Sequence, residues 1–172
     1  MAEPHAEQSW LWRMRIDLTG EIPEPVWPAG TRLHGFRTID GRRLHALLEH
    51  GYRRGGGSVA SFETWMPRLT RDSEFDPDLC FLVEANEELV AAALCWTSAF
   101  VKDLVVHESW RRRGLATALL RHVFRTFQAR GAEHVDLKVD TQNAGAIRLY
   151  ECVGMRAVER LPAPPAEQSL SE

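Results

Sequence analysis

From residue 115 onward the apolar positions keep a four-residue step. Leu115, Leu119, Val123 and Phe127 form one row, and Ala116, Leu120 and Phe124 form the row beside it. At 3.6 residues per turn these rows merge into one wide apolar stripe, with Arg121, Arg125 and Gln128 outside it. The spacing predicts an amphipathic helix that Gly131 stops. The next run, HVDLKVD over 134–140, alternates strictly and predicts a strand with Val135, Leu137 and Val139 on one face. A second helix is expected from about Ala144 to Cys152, ending at Gly154, and a last strand over Met155 to Glu159. If the strands flanking the long helix are parallel, the crossover is right-handed.

The first half is less regular. Arg32 to Arg37 alternates weakly and predicts a short strand. Asp40 can cap a helix carrying Leu44, Leu47 and Leu48, closing at Gly51. YRRGGGS reads as a flexible connection, and Ser61 as the cap of a short helix with Phe62, Trp65 and Met66 that Pro67 kinks or ends. CFLVEA, a turn with Asn86, and LVAAALCW predict a hairpin, followed at once by a third strand, FVKDLVV. Before residue 31 the chain reads as an extension. It holds one candidate strand, WLWRMRI, and then Pro23, Pro25 and Pro28, which exclude a helix or central strand there. The tail from Leu161 is proline-rich and polar and is expected to fray. The expected organisation is an extension over 1–30, one domain over 31–160 and a flexible tail over 161–172.

Composition narrows the class. The chain has 172 residues, of which 44% are hydrophobic and 26% charged, enough for one proper core and too ordered a mixture for wholesale disorder. The formal net charge of −3 argues against general nucleic-acid binding. No apolar run approaches the ~20 residues that span a bilayer, and MAEPHAEQSW lacks the basic and apolar regions of a signal peptide. Cys80, Cys95 and Cys152 are odd in number and widely spaced, which argues against a disulfide scaffold or a thiolate zinc site. The expected setting is the cytoplasm, without nucleic-acid or membrane partners. Trp10, Trp12 and Trp27 are expected to be exposed, which suggests a homodimer or docking of the N-terminal arm. His45, His50 and His122 read as helix-surface residues, and Cys152 as a buried small hydrophobe. No HExxH, close His/Asp/Glu spacing or GxSxG elbow is present, so no metal is expected.

The segment DLVVHESWRRRGLATALL, 103–120, carries the chemistry. A buried strand ends near Val106, a short loop holds Arg111, Arg112 and Arg113, and a helix opens at about Gly114. Free N–H groups at a helix start attract anions. Gly114 lets a ligand approach the backbone closely, and Ala116 does nearly the same within the helix. Three cations at a helix N-terminus need an outside anion or full solvation; a diphosphate suits the first, a solvated loop the second. There is no GxxxxGK[ST] or GxGxxG pattern.

Arg111-Arg112-Arg113-Gly114-Leu115-Ala116 resembles the R/Q-x-x-G-x-G/A signature of the GCN5-related N-acetyltransferases, the GNAT superfamily, in its single-domain bacterial type. Asn143-Ala144-Gly145-Ala146-Ile147-Arg148-Leu149-Tyr150 is similar to the second motif of that family, N-x-x-A-x-x-L-Y, and Gly154-Met155 to its step into the next strand. The resemblance implies an α/β (α+β) fold: a central, mixed, mostly antiparallel sheet flanked by helices and splayed at the cofactor strand. The gap would lie between the strand ending at Val106 and the strand 134–140. It implies acetyl-CoA as co-substrate. The backbone of Leu104 and Val106 would hold the acetyl group and pantetheine, with Val105 between them also among the cofactor-binding residues. The N–H groups from Arg111 through Gly114, Leu115 and Ala116 to Thr117 would hold the diphosphate. Asn143 would bond the pantetheine arm at the start of a helix that includes Ala146, and Tyr150 would lie near the sulfur.

The activity implied is acetyl transfer to a primary amine by direct attack, with a strand N–H such as that of Val106 on the oxyanion and Tyr150 as general acid. On residue chemistry alone, Tyr150 also reads as a packed helix tyrosine. Some relatives place a glutamate base eleven positions before the signature; here that position is Phe100, so no base transfers, and Asp103, His107 and Glu108 are the nearby candidates. The acceptor side is expected from Tyr52, Arg53, Arg54, Phe62 and Trp65, with Phe100 lining the pocket. The missing glutamate motivates a second reading, a non-catalytic CoA-binding regulatory module. A third, an RNA-associated protein, would use Arg42, Arg43, Arg53, Arg54 and Arg111 to Arg113. The extension before residue 31 and the Phe62/Trp65/Phe75-Asp76-Pro77 region also resemble the two-domain mycothiol-synthase branch, whose substrate is not carried over.

Overall fold

The computed structural model describes residues 8–55 and 57–164. Seven strands and four helices follow in the order β1 (Trp10–Asp17), β2 (Thr31–Gly35), α1 (Gly41–Arg54), α2 (Phe62–Arg71), β3 (Phe75–Ala85), β4 (Glu88–Trp96), β5 (Phe100–Val106), α3 (Leu115–Ala129), β6 (His134–Asp140), α4 (Ala144–Cys152) and β7 (Arg156–Pro162). One sheet runs β2-β3-β4-β5-β6-β1-β7, antiparallel at every seam except β5–β6, which is parallel. The expected mixed, mostly antiparallel sheet is present.

The β3–β4 hairpin turns on Asn86 and Glu87 at φ +52° and +64°, a primed turn that matches strand twist. The long stripe forms α3 as expected, buries Leu115, Leu119, Val123, Phe124 and Phe127, and stops before Gly131 at φ +84°. Two apolar layers cover the sheet. One joins α3 to Met14, Phe81, Val101, Val135 and Leu137; the other joins α1 and α2, through Leu44, Leu48, Trp65 and Leu69, to Leu82, Leu94 and Val105.

The N-terminal segment is not peripheral. WLWRMRI forms β1 and lies between β6 and β7, pairing with both. The prolines lie after it, in a strap across α3: Gln128 Nε2 donates to the carbonyls of Leu18 and Gly20, and Arg125 Nη1 to that of Ile22. The tryptophans pack within the chain. Trp12 and Trp27 lean on the core and Arg160 covers the Trp10 ring. At the other end, Leu161 and Pro162 belong to β7, so the strand outlasts the expected boundary; residues 165–172 lie outside those described.

The structure departs from the local rules at other points as well. Gly51 does not close α1, which continues to Arg54; a Cβ there would lie 2.6 Å from Val105 Cγ2, so the glycine lets α1 pass tightly over β5. Of the two outcomes expected at Pro67, a kink or an end, α2 does not end there but runs on to Arg71. Cys152 is exposed rather than buried. His45 is buried with Nε2 2.7 Å from the Ala60 carbonyl, and His122 stands edge-on to Phe81; burial and then Arg125 push the His122 imidazole below its usual range.

Candidate active site

Strand β5 is where the sheet opens. On one side it pairs with β4 from Phe100 to Val106; on the other it pairs with β6 only at Phe100–Asp136 and Val101–Leu137. Beyond that point β5 and β6 part, leaving the gap expected between these strands. The direction of the β5 backbone follows from its ladder. The His107 N–H bonds the Val90 carbonyl at 2.8 Å, and antiparallel pairs alternate, so residues 103 and 105 turn their backbone to β4 while Leu104 and Val106 face the gap. The intervening Val105 buries its side chain against α1 instead.

The gap leads to the opening of α3. Arg112 and Gly114 are both left-handed, at φ +59° and +81°, which turns successive N–H groups the same way. Among the described residues the N–H groups of 112 to 117 have no hydrogen-bond partner; the first intrahelical bond is Ala118 N–H to the Gly114 carbonyl. The Arg111 N–H is already bonded to the Glu108 carbonyl, so the open run starts one residue later than expected. No heavy atom lies within 4 Å of where a Gly114 Cβ would be, so the position needs glycine for its φ and leaves room above the amides. Six open donors, a nest and a helix dipole together fit a diphosphate. Two of the three arginines are anchored within the loop: Arg111 Nε donates to the Val106 carbonyl at 3.3 Å, and Arg113 lies over the Trp110 ring at 4.6 Å.

On the far side of the gap, Asn143 is the N-cap of α4, and its Oδ1 accepts the Ala146 N–H at 3.1 Å. Its carboxamide NH₂ is the part left to meet a ligand. Tyr150, on the same helix, is half-buried, and burial raises its phenol above the ordinary value, so it holds its proton at neutral pH.

A cleft of about 800 Å³ opens on the other face of the sheet, between α1, α2 and β5. Tyr52, Trp65, Arg68, Trp96, Lys102 and Asp103 are among its walls. Of the expected acceptor-side residues, Tyr52 and Trp65 line it. Arg53 faces Glu49, Arg54 pairs with Glu108, and Phe62 packs under Arg42. Phe100 is not among the cleft residues; Lys138 Nζ stands 6.0 Å from its ring centre.

The three candidate bases separate. Asp103 lines the cleft and is 5% exposed; its carboxylate accepts the Tyr52 hydroxyl and, at 3.0 Å, the Lys102 ammonium. The Tyr52 phenol is raised, first because its hydroxyl end is withdrawn from water and then by the charge of Asp103, with a smaller effect of Tyr150. His107 and Glu108 lie elsewhere, against the end of α1. The rings of His107 and His50 stack with centres 5.0 Å apart, and Arg54 holds Glu108. The fold thus gathers His50, His107 and Glu108, and separately His34, Asp40 and Glu84, although no sequence spacing announces either group. Guanidinium groups already sit on the carboxylates of both.

A sheet that splays beside a helix with open amides leaves backbone donors and acceptors of the kind a long, amide-rich, diphosphate-bearing ligand could satisfy. The profile of the acetyltransferase (GNAT) family matches residues 42–155, and the chain belongs to that family. It is 32% identical over 159 residues to the mycothiol acetyltransferase of Thermobispora bispora, covering 84% of this chain and 52% of that protein. It is 29% identical over 93 residues to the [ribosomal protein bS18]-alanine N-acetyltransferase of Escherichia coli K12, covering 52% of this chain and 63% of that one. Among solved structures, a GCN5-related N-acetyltransferase from Sphaerobacter thermophilus superposes with a TM-score of 0.78 at 29% identity, over 90% of this chain and 50% of that chain. The chain thus spans about half the length of the mycothiol acetyltransferase it matches. Among the described residues, no helix is long and apolar enough to cross a membrane.

Proposed function

We propose that this chain transfers the acetyl group of acetyl-CoA to the primary amine of a small molecule or peptide, with both substrates bound together. One observation carries the reading: the β5–β6 seam opens after two residue pairs and leads to six consecutive unbonded amides. A pantetheine arm satisfies strand edges that a neighbouring strand would otherwise fill, and a diphosphate satisfies the amides. Leu104, Val105 and Val106 form the strand that holds the arm, Arg112 to Thr117 hold the diphosphate, and the Asn143 NH₂ group bonds the arm from α4.

When bound, acetyl-CoA supplies an activated acetyl thioester. The chain does the rest. The Val106 N–H faces the gap and can bond the negative charge that develops on the carbonyl oxygen. Tyr150, protonated at neutral pH, donates to the departing sulfur. The half-exposed face of α4, whose residues Ala146, Ile147 and Leu149 lean on the core without being buried, is the side on which the arm lies. One relative is named as a mycothiol acetyltransferase and another as an N-acetyltransferase of the alanine of ribosomal protein bS18; for this chain the acceptor is a free amine entering the cleft beside β5. We place the protein in the cytoplasm, where the free thiols of Cys80, Cys95 and Cys152 stay reduced.

The test is linkage. Acetyl-CoA at ten times its dissociation constant raises stability by about 1.4 kcal/mol, read as an upward shift in Tm. No shift with acetyl-CoA or CoA defeats the reading. A shift without acetyl transfer across an amine panel favours the regulatory module.

A further inference from the structure

Strand β5 carries a bulge, and its position has a consequence for the acceptor. Leu94 pairs with Asp103 and Cys95 with Val101, so Lys102 is an extra residue without an opposite number. The bulge inverts the alternation of the strand. Val101 and Val105 are four residues apart and would share a face in a regular strand, yet Val101 packs in the α3 layer and Val105 in the α1–α2 layer. Neighbouring residues that would point to opposite faces, Lys102 and Asp103, therefore both reach the cleft. The bulge also falls where β6 stops pairing, so the cleft and the cofactor gap meet at residues 102–104.

The result is a built site. The Asp103 side chain is 4% exposed, lies next to the residue whose backbone opens the gap, and is oriented by the Tyr52 hydroxyl. An ammonium already sits on it: Lys102 Nζ, 3.0 Å from Oδ2 and 5.6 Å from the Trp96 ring centre. A buried carboxylate needs a cationic partner, and the natural cation of this cleft during turnover is the acceptor itself. Resting on the acetyl-transfer reading above, we propose that Asp103 receives the ammonium of the acceptor and takes one of its protons, and that Lys102 occupies this place in the free protein and is displaced when the acceptor binds. The neutral amine then bonds the acetyl carbon as the C–S bond breaks, the sulfur leaves with the Tyr150 proton, and the second nitrogen proton restores that phenol. Tyr52 acts as a positioning residue that fixes the carboxylate. The acceptor is then a primary ammonium whose attached body lies along Trp65 and Trp96, and the site needs no carboxylate at Phe100.

The test follows CoA release from acetyl-CoA with four amines: an alanine-initiated hexapeptide, glucosamine, tyramine and spermidine. Asp103→Asn should lower kcat/KM at least 100-fold for each amine the wild type uses, while CoA still raises Tm as it does for the wild type. Lys102→Met should lower the KM for the same amines threefold or more, because it removes the competing ammonium. An Asp103→Asn protein within threefold of wild type, or a Lys102→Met protein with unchanged or raised KM, overturns the proposal. Should Asp103→Asn fail to fold, Lys102→Met alone decides. CoA binding with no transfer to any of the four amines overturns it together with the amine reading; loss of CoA binding in the wild type is the separate failure of the parent function.

Discussion

Strand β6 is bordered by β1 on one side and β5 on the other, and the two seams differ in kind. Against β1 the ladder is continuous from Leu11–Asp140 to Asp17–His134. It is locked by Asp136, whose carboxylate accepts from Arg13 at 2.8 Å and from Arg15 at 2.8 and 2.9 Å. Against β5 it holds for two pairs and stops. The closed seam is held by backbone bonds and a cross-strand ion cluster; the open one leaves the same kinds of backbone groups without partners beside a bulge and a nest. A sheet can keep one seam open because the other seam, and the α3 layer under both, hold β6 in place.

The largest expected effect tests the chemistry of the open side. Tyr150→Phe should lower kcat by on the order of 100-fold, about 2.7 kcal/mol, with CoA affinity within twofold of wild type in calorimetry. Equal turnover would reduce Tyr150 to a packing residue. Next comes the closed seam: Asp136→Ala takes the paired carboxylate from Arg15 and leaves Arg13 held by Glu159 alone, and should cost about 2 kcal/mol in urea unfolding, with kcat/KM falling less than in Tyr150→Phe. If kcat/KM fell as far, the two seams would not be separable. Gly114→Ala comes third. An alanine at φ +81° is strained by about 1 kcal/mol, so CoA affinity should drop about five- to tenfold and the closed seam should be untouched.

The smallest effect is acid. Burial alone would raise the Asp136 carboxyl, but its hydrogen bonds to Arg15 and Arg13 outweigh burial and leave it below the ordinary value of 3.8. A carboxyl lowered on folding stabilises the protein fully above its unfolded value and loses that contribution as pH falls through the lower, folded one. Wild-type stability should therefore fall as pH drops below 3.8, and Asp136→Asn should flatten that part of the curve. An unchanged acid limb in the variant would remove Asp136 as the lock of this seam.

The contrast also explains what could be read in advance. The cofactor side is made of contiguous segments: strand, loop and helix start at 104–117, and a capped helix at 143–150. Their chemistry is mostly backbone chemistry, and glycine, small residues and caps announce backbone conformation locally, so the gap and most of the open amides were legible. Two expected residues turn no open amide to the gap: the Arg111 N–H closes the 3-10 turn Glu108–Trp110, and Val105 turns its backbone to β4. The proposed acceptor side joins Tyr52, Trp65, Trp96, Lys102 and Asp103 from four elements. No periodicity links them, and a regular strand over FVKDLVV would send Lys102 and Asp103 to opposite faces. A bulge is decided by what the partner strand can pair, which lies outside the strand's own sequence.

The same division holds for the fold. Apolar spacing, turn residues and caps determined which segments are helices and strands, because those preferences act over a few residues. Tertiary structure decided where the segments went. The prolines suggested a peripheral arm, yet the strand before them fills the place between β6 and β7, since its alternating face carries Met14 and Ile16 into the core and Arg13 and Arg15 onto Asp136. Gly51 looked like a stop and became a close crossing. His50 and His107 looked unrelated and are stacked. In each case the deciding interaction spans tens of residues, and only the packed chain brings its two halves together.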